Sequence, residues 1–270
     1  MATLSPRRCS VSEPVMKARI ELLLVELKLP SMRRMHEKIA KEVLSAGGDF
    51  GSYLHSLLEE EVSERRSRRV QRRMKEARFR QIKTLDELEE QELPKGVTMQ
   101  LLRELAQGEY MDTATNILAL GGSGTGKSHV CTALGVAACR MGKRVRFFTA
   151  AELVSELEAA QEKHTLHRYL KRFASLDLAI IDELGYLAIG EHGADLLFQA
   201  LSERHERQSI ILNSNLAFEE WGSIFGTERL TVALLDRLTH RAHILEMNGP
   251  SYRLKSARRA GGKPAGTKAS

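Results

Sequence analysis

Eight consecutive residues carry the clearest chemical signal in the sequence. Residues 121–128 read GGSGTGKS and fit the pattern G-x-x-x-x-G-K-[ST] at every fixed position. Glycines let such a loop take positive φ values, so that its backbone N–H groups can surround phosphate oxygens. The lysine neutralises phosphate charge and the serine hydroxyl binds Mg²⁺. The motif predicts a site for ATP and Mg²⁺ formed by Gly121, Gly122, Ser123, Gly124, Thr125, Gly126, Lys127, Ser128 and His129.

Two acidic residues follow an apolar run. Residues 178–181 read LAII and lead directly into Asp182 and Glu183. This composition is typical of a strand buried on both faces, and open α/β sheets bind ligands at the carboxyl ends of their strands. We expect Asp182 to hold Mg²⁺ together with Ser128, and Glu183 to orient and activate the water that attacks ATP. The alternative is that the two acids only cap the following helix.

Polar side chains also end the next apolar run. Residues 209–212 read SIIL and are followed by Asn213-Ser214-Asn215. An amide at this place could hold the attacking water against the γ-phosphate, and we favour Asn215 over Asn213 for that role. The alternative is a turn built from short polar side chains.

An arginine before the last predicted strand could complete the site. Arg237 lies in the segment LLDRL at residues 234–238. Such an arginine can reach the γ-phosphate of a nucleotide that a neighbouring subunit binds. Arg237 is the preferred candidate and Arg241 the second. The alternative for Arg237 is a surface ion pair with Asp236 or Glu228.

The elements that must position these residues alternate between strand and helix. Apolar runs predict strands at residues 116–120, 144–148, 178–181, 209–212 and 242–247. A helix follows the phosphate loop to about residue 141, and an insert occupies residues 150–174. Strand–helix alternation with wholly apolar strands indicates an α/β fold with a parallel sheet covered by helices.

The first part of the chain has a different pattern. Residues 14–29, 30–46, 52–80 and 99–106 show helical spacing, separated by proline and glycine breaks. We therefore divide the chain into four parts. These are a helical, basic, DNA-binding domain at 1–80, a linker with a short helix at 81–115, an ATPase domain at 116–257, and a disordered basic tail at 258–270.

The bulk composition limits the class of protein. The chain is 42% hydrophobic, which is enough for a core and excludes wholesale disorder. No segment approaches the roughly 20 apolar residues that a membrane span needs, and residues 1–12 lack the apolar core of a signal peptide. Cys9, Cys131 and Cys139 match no metal-binding spacing, and we interpret the last two as core residues in a reducing compartment. We expect a cytoplasmic protein without a membrane partner.

The net charge of +6 is unevenly distributed. Residues 65–75 read RRSRRVQRRMK, further basic residues follow up to Lys83, and only Glu76 opposes them within the run. Such a segment favours contact with phosphates, and its binding would weaken with salt. No aromatic residues are interleaved, so we expect backbone contacts to duplex DNA rather than base stacking. The alternative is a solvated basic face, or one paired with the acids at 59–61 or 87–92.

The predicted DNA contacts form two groups. The first is Arg65, Arg66, Arg68, Arg69, Arg72, Arg73, Lys75, Arg78 and Arg80. The second lies in the insert and consists of Lys163, Arg168, Lys171 and Arg172. For the insert, an ordinary exposed face of packed helices is an equal alternative.

Several segments together resemble a known family. GGSGTGKSHV, LAIIDELGY, ILNSN, LLDRLTHRAH and SYRLK, over roughly residues 112–257, resemble the IstB-type helper ATPases of insertion sequences. Those ATPases are similar to the helicase loader DnaC and the initiator DnaA within the AAA+ class. The resemblance is specific because His129 directly follows the loop motif and Gly185-Tyr186 follows the acids. A weaker resemblance extends over RRMKEARF and KTLDEL.

The resemblance implies a fold and partners. The fold would be a P-loop AAA+ (ASCE) domain whose five-stranded parallel sheet is flanked by helices and preceded by an all-helical domain. One added strand would separate the strand of the phosphate loop from that of Asp182. No C-terminal lid with a sensor arginine is expected, and Arg253 is only a weak candidate for that role. The resemblance also implies a homo-oligomer on DNA, with ATP at subunit interfaces, and a partner transposase.

These expectations describe an ATP-dependent regulator of transposition. It would oligomerise on duplex DNA, recruit or stimulate a transposase, and disassemble when ATP is hydrolysed. The alternative is a replicative helicase loader of the DnaC type. A third interpretation is a binding module that switches on ATP and scarcely hydrolyses it. Glu183 argues against this third interpretation, because a pure switch does not need that carboxylate.

Overall fold

The computed structural model describes residues 12–186 and 189–249. The chain separates into two compact units, the first ending at Arg69 and the second beginning at Val70. Cys9, Arg253 and the predicted tail at 258–270 lie outside the described residues. Within the described ranges, no helix combines the length and the apolar character that crossing a membrane requires.

The first unit is helical. Its helices are α1 (Glu13–Glu26), α2 (Pro30–Ser45) and the first part of α3 (Phe50–Ala77). Pro30 starts α2, where its missing N–H would have no helical partner in any case. A small core contains Met32, Ile39 and Leu57. The predicted helical segments 14–29, 30–46 and 52–80 therefore correspond to three helices whose ends differ by a few residues.

A carboxylate of α3 satisfies the start of α2. Glu61 Oε2 accepts hydrogen bonds from the backbone N–H groups of Ser31 at 2.9 Å and Met32 at 3.1 Å. These N–H groups have no partner inside their own helix, and an acidic group is favourable at this end of the helix dipole. The contact fixes α2 against α3 within the first unit.

A parallel sheet organises the second unit. Its strands are β1 (Asn116–Leu120), β2 (Val145–Thr149), β3 (Leu178–Leu184), β4 (Ser209–Ser214) and β5 (Ala242–Glu246). The five strands lie in the order β2-β3-β4-β1-β5, and each neighbouring pair is parallel. The expected five-stranded parallel sheet is confirmed, and β4 is the strand that separates β1 from β3.

Helices precede the sheet and connect its strands. They are α4 (Met99–Ala106), α5 (Glu109–Asp112), α6 (Lys127–Arg140), α7 (Ala150–Glu162), α8 (Leu166–Ala174), α9 (Glu191–Ser202), α10 (Gly222–Phe225) and α11 (Glu228–Thr239). The predicted insert is the pair α7 and α8.

Successive residues of the central strands contribute to two cores. Leu118 and Ile181 belong to a core that includes side chains of α7, α9 and α11. Ile117 and Ile180 belong to a second core, which includes α4 and α6. Side chains alternate across a strand, so the two cores lie on opposite faces of the sheet. This explains the uninterrupted apolar runs Ile117–Leu120, Leu178–Ile181 and Ile210–Leu212 in the central strands.

The last residues of α3 and the segment that follows them run along α6 from its end to its beginning. We call this segment, residues 73–84, the α6 strap. Arg73 Nε donates to the carbonyl oxygen of Gly142, just after α6, at 3.0 Å. At the other end, the carbonyl oxygen of Thr84 lies 2.9 Å from Nε2 of His129, in the first turn of α6.

Gly135 permits close packing at the middle of α6. A Cβ at this position would lie 2.4 Å from Cδ1 of Ile180 and 3.0 Å from a ring carbon of Phe79 in the strap. The Phe79 ring also meets the ring of Phe147 in β2 edge-on, with 6.2 Å between centroids. A glycine inside a helix costs roughly 0.5–1 kcal/mol relative to alanine. Here it gives the strap and β3 room to approach α6.

Candidate functional site

The predicted nucleotide-site residues meet at one edge of the sheet. The loop after β1 and the ends of β3 and β4 converge there, because the carboxyl ends of parallel strands point to the same edge. Together with the α6 strap they line a cleft of about 450 Å³. The predicted residues that line it are Ser123, Gly124, Thr125, Gly126, Lys127, Ser128, His129, Asp182, Glu183, Asn213, Asn215 and Arg80.

Glycine is required at the start of the phosphate loop. Gly121 has a φ of +142°, and a Cβ there would lie 2.3 Å from the carbonyl oxygen of Met247. That contact is with backbone, which cannot move aside as a flexible side chain would. Met247 is itself fixed, because its N–H donates to the carbonyl oxygen of Leu120 at 2.6 Å. The chain after β5 therefore determines the path of the loop after β1.

Lys127 places a buried positive charge at this loop. Its side chain is only 6% exposed, and Nζ donates to the carbonyl oxygens of Gly121 at 2.6 Å and Gly122 at 2.7 Å. Lys127 is also the first residue of α6, whose N-terminal end carries the positive end of the helix dipole. Both features favour an anionic ligand such as a phosphate chain.

Other residues at the loop make hydrogen-bond contacts with their neighbours. Thr125 Oγ1 donates to the carbonyl oxygen of Gly122 at 3.0 Å. Ser123 Oγ lies 3.4 Å from the hydroxyl oxygen of Tyr186. Tyr186 lines the cleft as well, and no role was predicted for it, although Gly185-Tyr186 belongs to the family motif. His129 lines the cleft while its Nε2 contacts the strap.

Ser128, Asp182 and Asn213 form one hydrogen-bonded group across three elements. Ser128 Oγ donates to Asp182 Oδ1 at 3.0 Å. Asn213 Nδ2 donates to Ser128 Oγ at 3.0 Å and also to Asp182 Oδ1. The group joins α6, β3 and β4, and it places a hydroxyl beside a carboxylate at the cleft.

The environment of Asp182 disfavours its ionised form. Burial raises the pKa of this carboxyl, and the neighbouring charge of Glu183 raises it further. The hydrogen bond from Ser128 acts in the opposite direction without cancelling burial. A cation bound at this carboxylate would remove the electrostatic cost.

Glu183 has an unusual backbone conformation. Its φ is +63°, and the pairing of β3 with β4 shifts register between Ile181 and Leu184. Non-glycine residues in the left-handed region cost energy and concentrate at functional sites. The distortion leaves the Glu183 side chain 43% exposed at the cleft, where a carboxylate can contact water.

Arg80, one of the predicted DNA contacts, lines the cleft. Its Nη1 lies 3.5 Å from Glu183 Oε2, and its Nη2 lies 3.4 Å from Glu152 Oε1 at the start of α7. No local sequence pattern predicts this contact, because it depends on the path of the α6 strap.

The two candidate asparagines have different surroundings. Asn213 is buried and donates to Ser128 and Asp182. Asn215 is half-buried, and its Oδ1 accepts no hydrogen bond from any described residue. Asn215 also lines the cleft. This oxygen is buried, and an unsatisfied buried amide oxygen is a candidate partner for a bound water or ligand.

Arg237 lies apart from the residues that line the cleft of its own chain. Its guanidinium carbon stands 4.5 Å from the centroid of the Phe198 ring in α9. Its Nη1 is buried and has no hydrogen-bond partner among the described residues. Arg241, the second candidate, is exposed just before β5.

The basic run is more extensively paired than its sequence suggests. Arg65, Arg68, Arg72, Arg73, Arg78 and Arg80 each have a carboxylate within 4.0 Å. The acids are Glu61, Glu64, Glu76, Glu156, Glu152 and Glu183. Within the described residues, Arg66, Arg69 and Lys75 are exposed and have no such partner. The interpretation of a basic face paired with acids therefore holds for part of the run. Except for Glu61, the partner acids lie outside residues 59–61 and 87–92.

The basic residues of the insert are exposed. Lys163, Arg168, Lys171 and Arg172 all face solvent and have no carboxylate partner in the described part of the chain. On the other side of α8, Phe173 is buried, and Leu166, Tyr169 and Leu170 pack against the same core. The helix thus combines an apolar inner side with a basic outer side. This arrangement fits both a DNA contact and an ordinary exposed face of packed helices.

Both described cysteines are buried free thiols. Burial raises the pKa of Cys139 to about 12 and raises that of Cys131 strongly as well. Neither thiol ionises near neutral pH, so both behave as small apolar core residues.

Comparison with solved structures defines the class of the second unit. The replication initiator DnaA, solved with AMPPCP and single-stranded DNA, superposes with a TM-score of 0.50 at 20% identity. The match covers 67% of this chain and 56% of that chain. The sheet order, the phosphate-loop motif and this shared fold identify a P-loop domain of the AAA+ class.

The family follows from the sequence comparisons. The chain belongs to the family described as IstB-like ATP binding protein, whose profile matches residues 22–260. The IS21 insertion-sequence protein of Pseudomonas aeruginosa, named as an ATP-binding protein, is 36% identical over 90% of this chain and 91% of its own length. The corresponding IS5376 protein of Geobacillus stearothermophilus is 36% identical over 90% of this chain and 96% of its own length. The resemblance found in the sequence is confirmed.

Proposed function

We propose that this chain binds ATP with Mg²⁺, hydrolyses it, and uses the cycle to regulate transposition on duplex DNA. One observation carries the nucleotide site. A buried lysine at the phosphate loop lies in the same cleft as the hydrogen-bonded group of Ser128, Asp182 and Asn213. This is an arrangement suited to a phosphate chain and its cation.

The residues at the cleft fit Mg²⁺. This ion prefers oxygen ligands and is usually held by one or two carboxylates together with substrate phosphates. Ser128 and Asp182 offer a hydroxyl and a carboxylate whose oxygens lie 3.0 Å apart. Among the described residues, no group of three or more His, Cys, Asp or Glu could hold a metal alone, so phosphate oxygens would complete the ligand set. When bound, Mg²⁺ neutralises charge on the phosphates.

The remaining cleft residues have separate roles in hydrolysis. Lys127 would transfer its hydrogen bonds from the loop carbonyls to phosphate oxygens. Glu183 would accept a proton from the attacking water, which is the work of a general base. Asn215 is favoured over Asn213 to hold this water, because its Oδ1 is unpartnered while Asn213 is already hydrogen-bonded to Ser128 and Asp182.

The complete site would include a second copy of the chain. Arg237 lies outside the cleft of its own chain, yet a guanidinium beside the γ-phosphate is worth several orders of magnitude in rate in related chemistry. In an oligomer with ATP at the interfaces, Arg237 of one subunit would reach the nucleotide of the next. Arg241 is the alternative, and it is exposed.

The wider role combines DNA and a transposase. The relatives are named as ATP-binding proteins of insertion sequences, and two groups of exposed basic residues offer phosphate contacts. We propose that ATP promotes assembly of the chain on duplex DNA, that the assembly recruits or stimulates a transposase, and that hydrolysis disassembles it. Arg66, Arg69 and Lys75, together with the basic side of α8, are the preferred DNA contacts.

The test is ATP hydrolysis with and without long duplex DNA at two salt concentrations, with particle size followed by light scattering. The expected result is turnover stimulated by DNA, together with large particles that require ATP. Raising the salt should diminish both, because each phosphate contact releases condensed counterions.

Other results would favour one of the two alternative functions. Turnover that ignores duplex DNA, without particles at either salt concentration, contradicts an assembly on DNA and favours a helicase loader. ATP binding without turnover in any condition contradicts hydrolysis and favours the switch interpretation. Adding the partner transposase to the DNA-bound assembly then tests recruitment directly.

A further inference from the structure

Arg80 joins two acidic residues at neighbouring strand ends. Its guanidinium lies within 3.5 Å of Glu183 and 3.4 Å of Glu152. Glu152 is itself fixed, because its Oε2 accepts the backbone N–H of Thr149 at 2.9 Å in a capping box at the start of α7. Arg80 therefore connects the side chain of Glu183 to a rigid point.

The order of the strands gives this connection a direction. Glu152 lies just after β2, which is next to β3 on one side. The phosphate loop follows β1, and Asn215 follows β4, both on the other side of β3. Arg80 thus links the Glu183 carboxylate to the β2 side of β3, whereas the phosphate loop lies on the other side of β3.

We propose that Arg80 is a positioning residue that restrains Glu183 in an orientation unsuited to hydrolysis. The inference rests on the proposed function, since it assigns a control to the same ATP site. The restraint is released when a phosphate group attracts the guanidinium and leaves Glu183 free to turn towards the nucleotide. Arg80 is 56% exposed, so such a group can reach it.

Two sources could supply that phosphate. One is the phosphate chain of ATP, because Arg80 lines the same cleft as the phosphate loop. The other is the backbone of duplex DNA, because the α6 strap that carries Arg80 begins within the basic run of α3. Either source offers an oxyanion that guanidinium binds well.

The experiment compares steady-state ATP hydrolysis by the full chain and its Arg80→Ala variant. The expected result is a kcat raised about two- to fivefold without DNA and an unchanged KM, since an exposed ion pair contributes only modestly. Arg80→Lys keeps the charge and should return kcat part of the way to the wild-type value. A purely structural role would not produce a gain in kcat that lysine reverses.

The matched control is Arg207→Ala. Arg207 forms a pair of the same kind with Glu203 at 3.8 Å, away from the cleft, and its side chain is 73% exposed. This variant should keep the wild-type kcat. Thermal unfolding of all three variants checks that the substitutions leave the fold intact, and binding of a fluorescent ATP analogue checks the site.

A DNA arm assigns the source of the phosphate. If duplex DNA raises the wild-type rate towards that of Arg80→Ala and leaves the variant unchanged, the restraint is supported with DNA as its releasing partner. If DNA raises both rates by the same factor while the basal gain of Arg80→Ala persists, the restraint is supported with the nucleotide as that partner. The ATP phosphates then release the restraint in only a fraction of the wild-type molecules.

The outcomes separate this inference from the proposed function. Wild-type turnover that Arg80→Ala lowers or leaves unchanged overturns the restraint and leaves the proposed ATPase standing. Turnover by Arg80→Ala alone supports the restraint and contradicts hydrolysis by the native chain. ATP binding without turnover in either protein contradicts both.

Discussion

Among single residues, Asp182 is an ionisable side chain in a buried position. Burial raises its pKa, so ionised Asp182 weakens the folded state when no cation is present. The cost is absent at low pH, where the carboxyl is protonated in both folded and unfolded chains. It develops as pH rises above the unfolded value of about 3.9 and is complete above the raised folded value.

We therefore predict that Asp182→Asn stabilises the nucleotide-free chain at neutral pH. Asparagine has a similar shape, and its Oδ1 can still accept from Ser128 and Asn213. The melting temperature should exceed that of the wild type at pH 7, and the difference should vanish as pH falls to about 4. Thermal unfolding across this pH range measures it. A variant that melts below the wild type at pH 7 would contradict the electrostatic argument, whereas loss of Mg²⁺-dependent ATP binding is expected.

A second prediction concerns Glu183. Glu183→Gln keeps the size of the side chain and removes its basicity, so ATP should bind normally while hydrolysis falls by about 10²–10⁴-fold. Single-turnover hydrolysis and binding of a fluorescent analogue separate the two effects. Glu203→Gln, an exposed acid away from the cleft, is the control. An unchanged single-turnover rate in Glu183→Gln would remove the general-base assignment.

Among the elements, α6 is in contact with the α6 strap along its whole length. The strap contacts it at its end, its middle and its beginning. The P-loop helix therefore depends on a segment that precedes it by about two helices in the chain. Movement of the strap would reach the phosphate loop through His129.

We predict that Gly135→Ala destabilises the second unit by about 1–3 kcal/mol, because a Cβ would overlap Ile180 and Phe79. Gly222→Ala provides the comparison, since no atom lies within 4 Å of its Cβ position; its effect should stay within about 0.5 kcal/mol. Urea unfolding of both variants measures the difference. Equal stability of the two would show that the strap does not pack closely on α6.

Local patterns predicted those elements whose signals are themselves local. The glycine loop, the apolar strands and the acids at the end of β3 each follow from a few adjacent residues. Arg80 shows the limit of this reasoning, since its contact with Glu183 depends on Phe79 packing over Gly135. No periodicity encodes that path. The same holds for Arg78, which meets Glu156 of α7 at 4.0 Å, although the sequence near it suggests a free basic residue.

Across the whole molecule, the proposed assembly makes a prediction about mixed subunits. Arg237→Ala should bind ATP as the wild type does and lose about 100-fold or more in turnover. Lys127→Ala should bind no ATP, yet it keeps Arg237. If Arg237 acts between subunits, an equal mixture should regain turnover at about a quarter of its head-to-tail interfaces.

Measured turnover of the mixture across several ratios checks this prediction. The separate variants provide the baseline, and their thermal unfolding shows whether loss of the Arg237 contact with Phe198 disturbs the fold. Mixtures that never exceed the sum of the separate rates would argue that Arg237 acts within its own chain or only on the fold.

The α6 strap also decides where the chain can be divided. A fragment starting at residue 116 would keep every strand and the whole phosphate loop. It would nevertheless uncover the side of α6 at Gly135 and leave His129 without Thr84. A fragment starting at residue 70 would keep both contacts. We therefore expect a single protease cut between the strap and β1 to weaken nucleotide binding, although every residue of the loop motif would remain in one fragment.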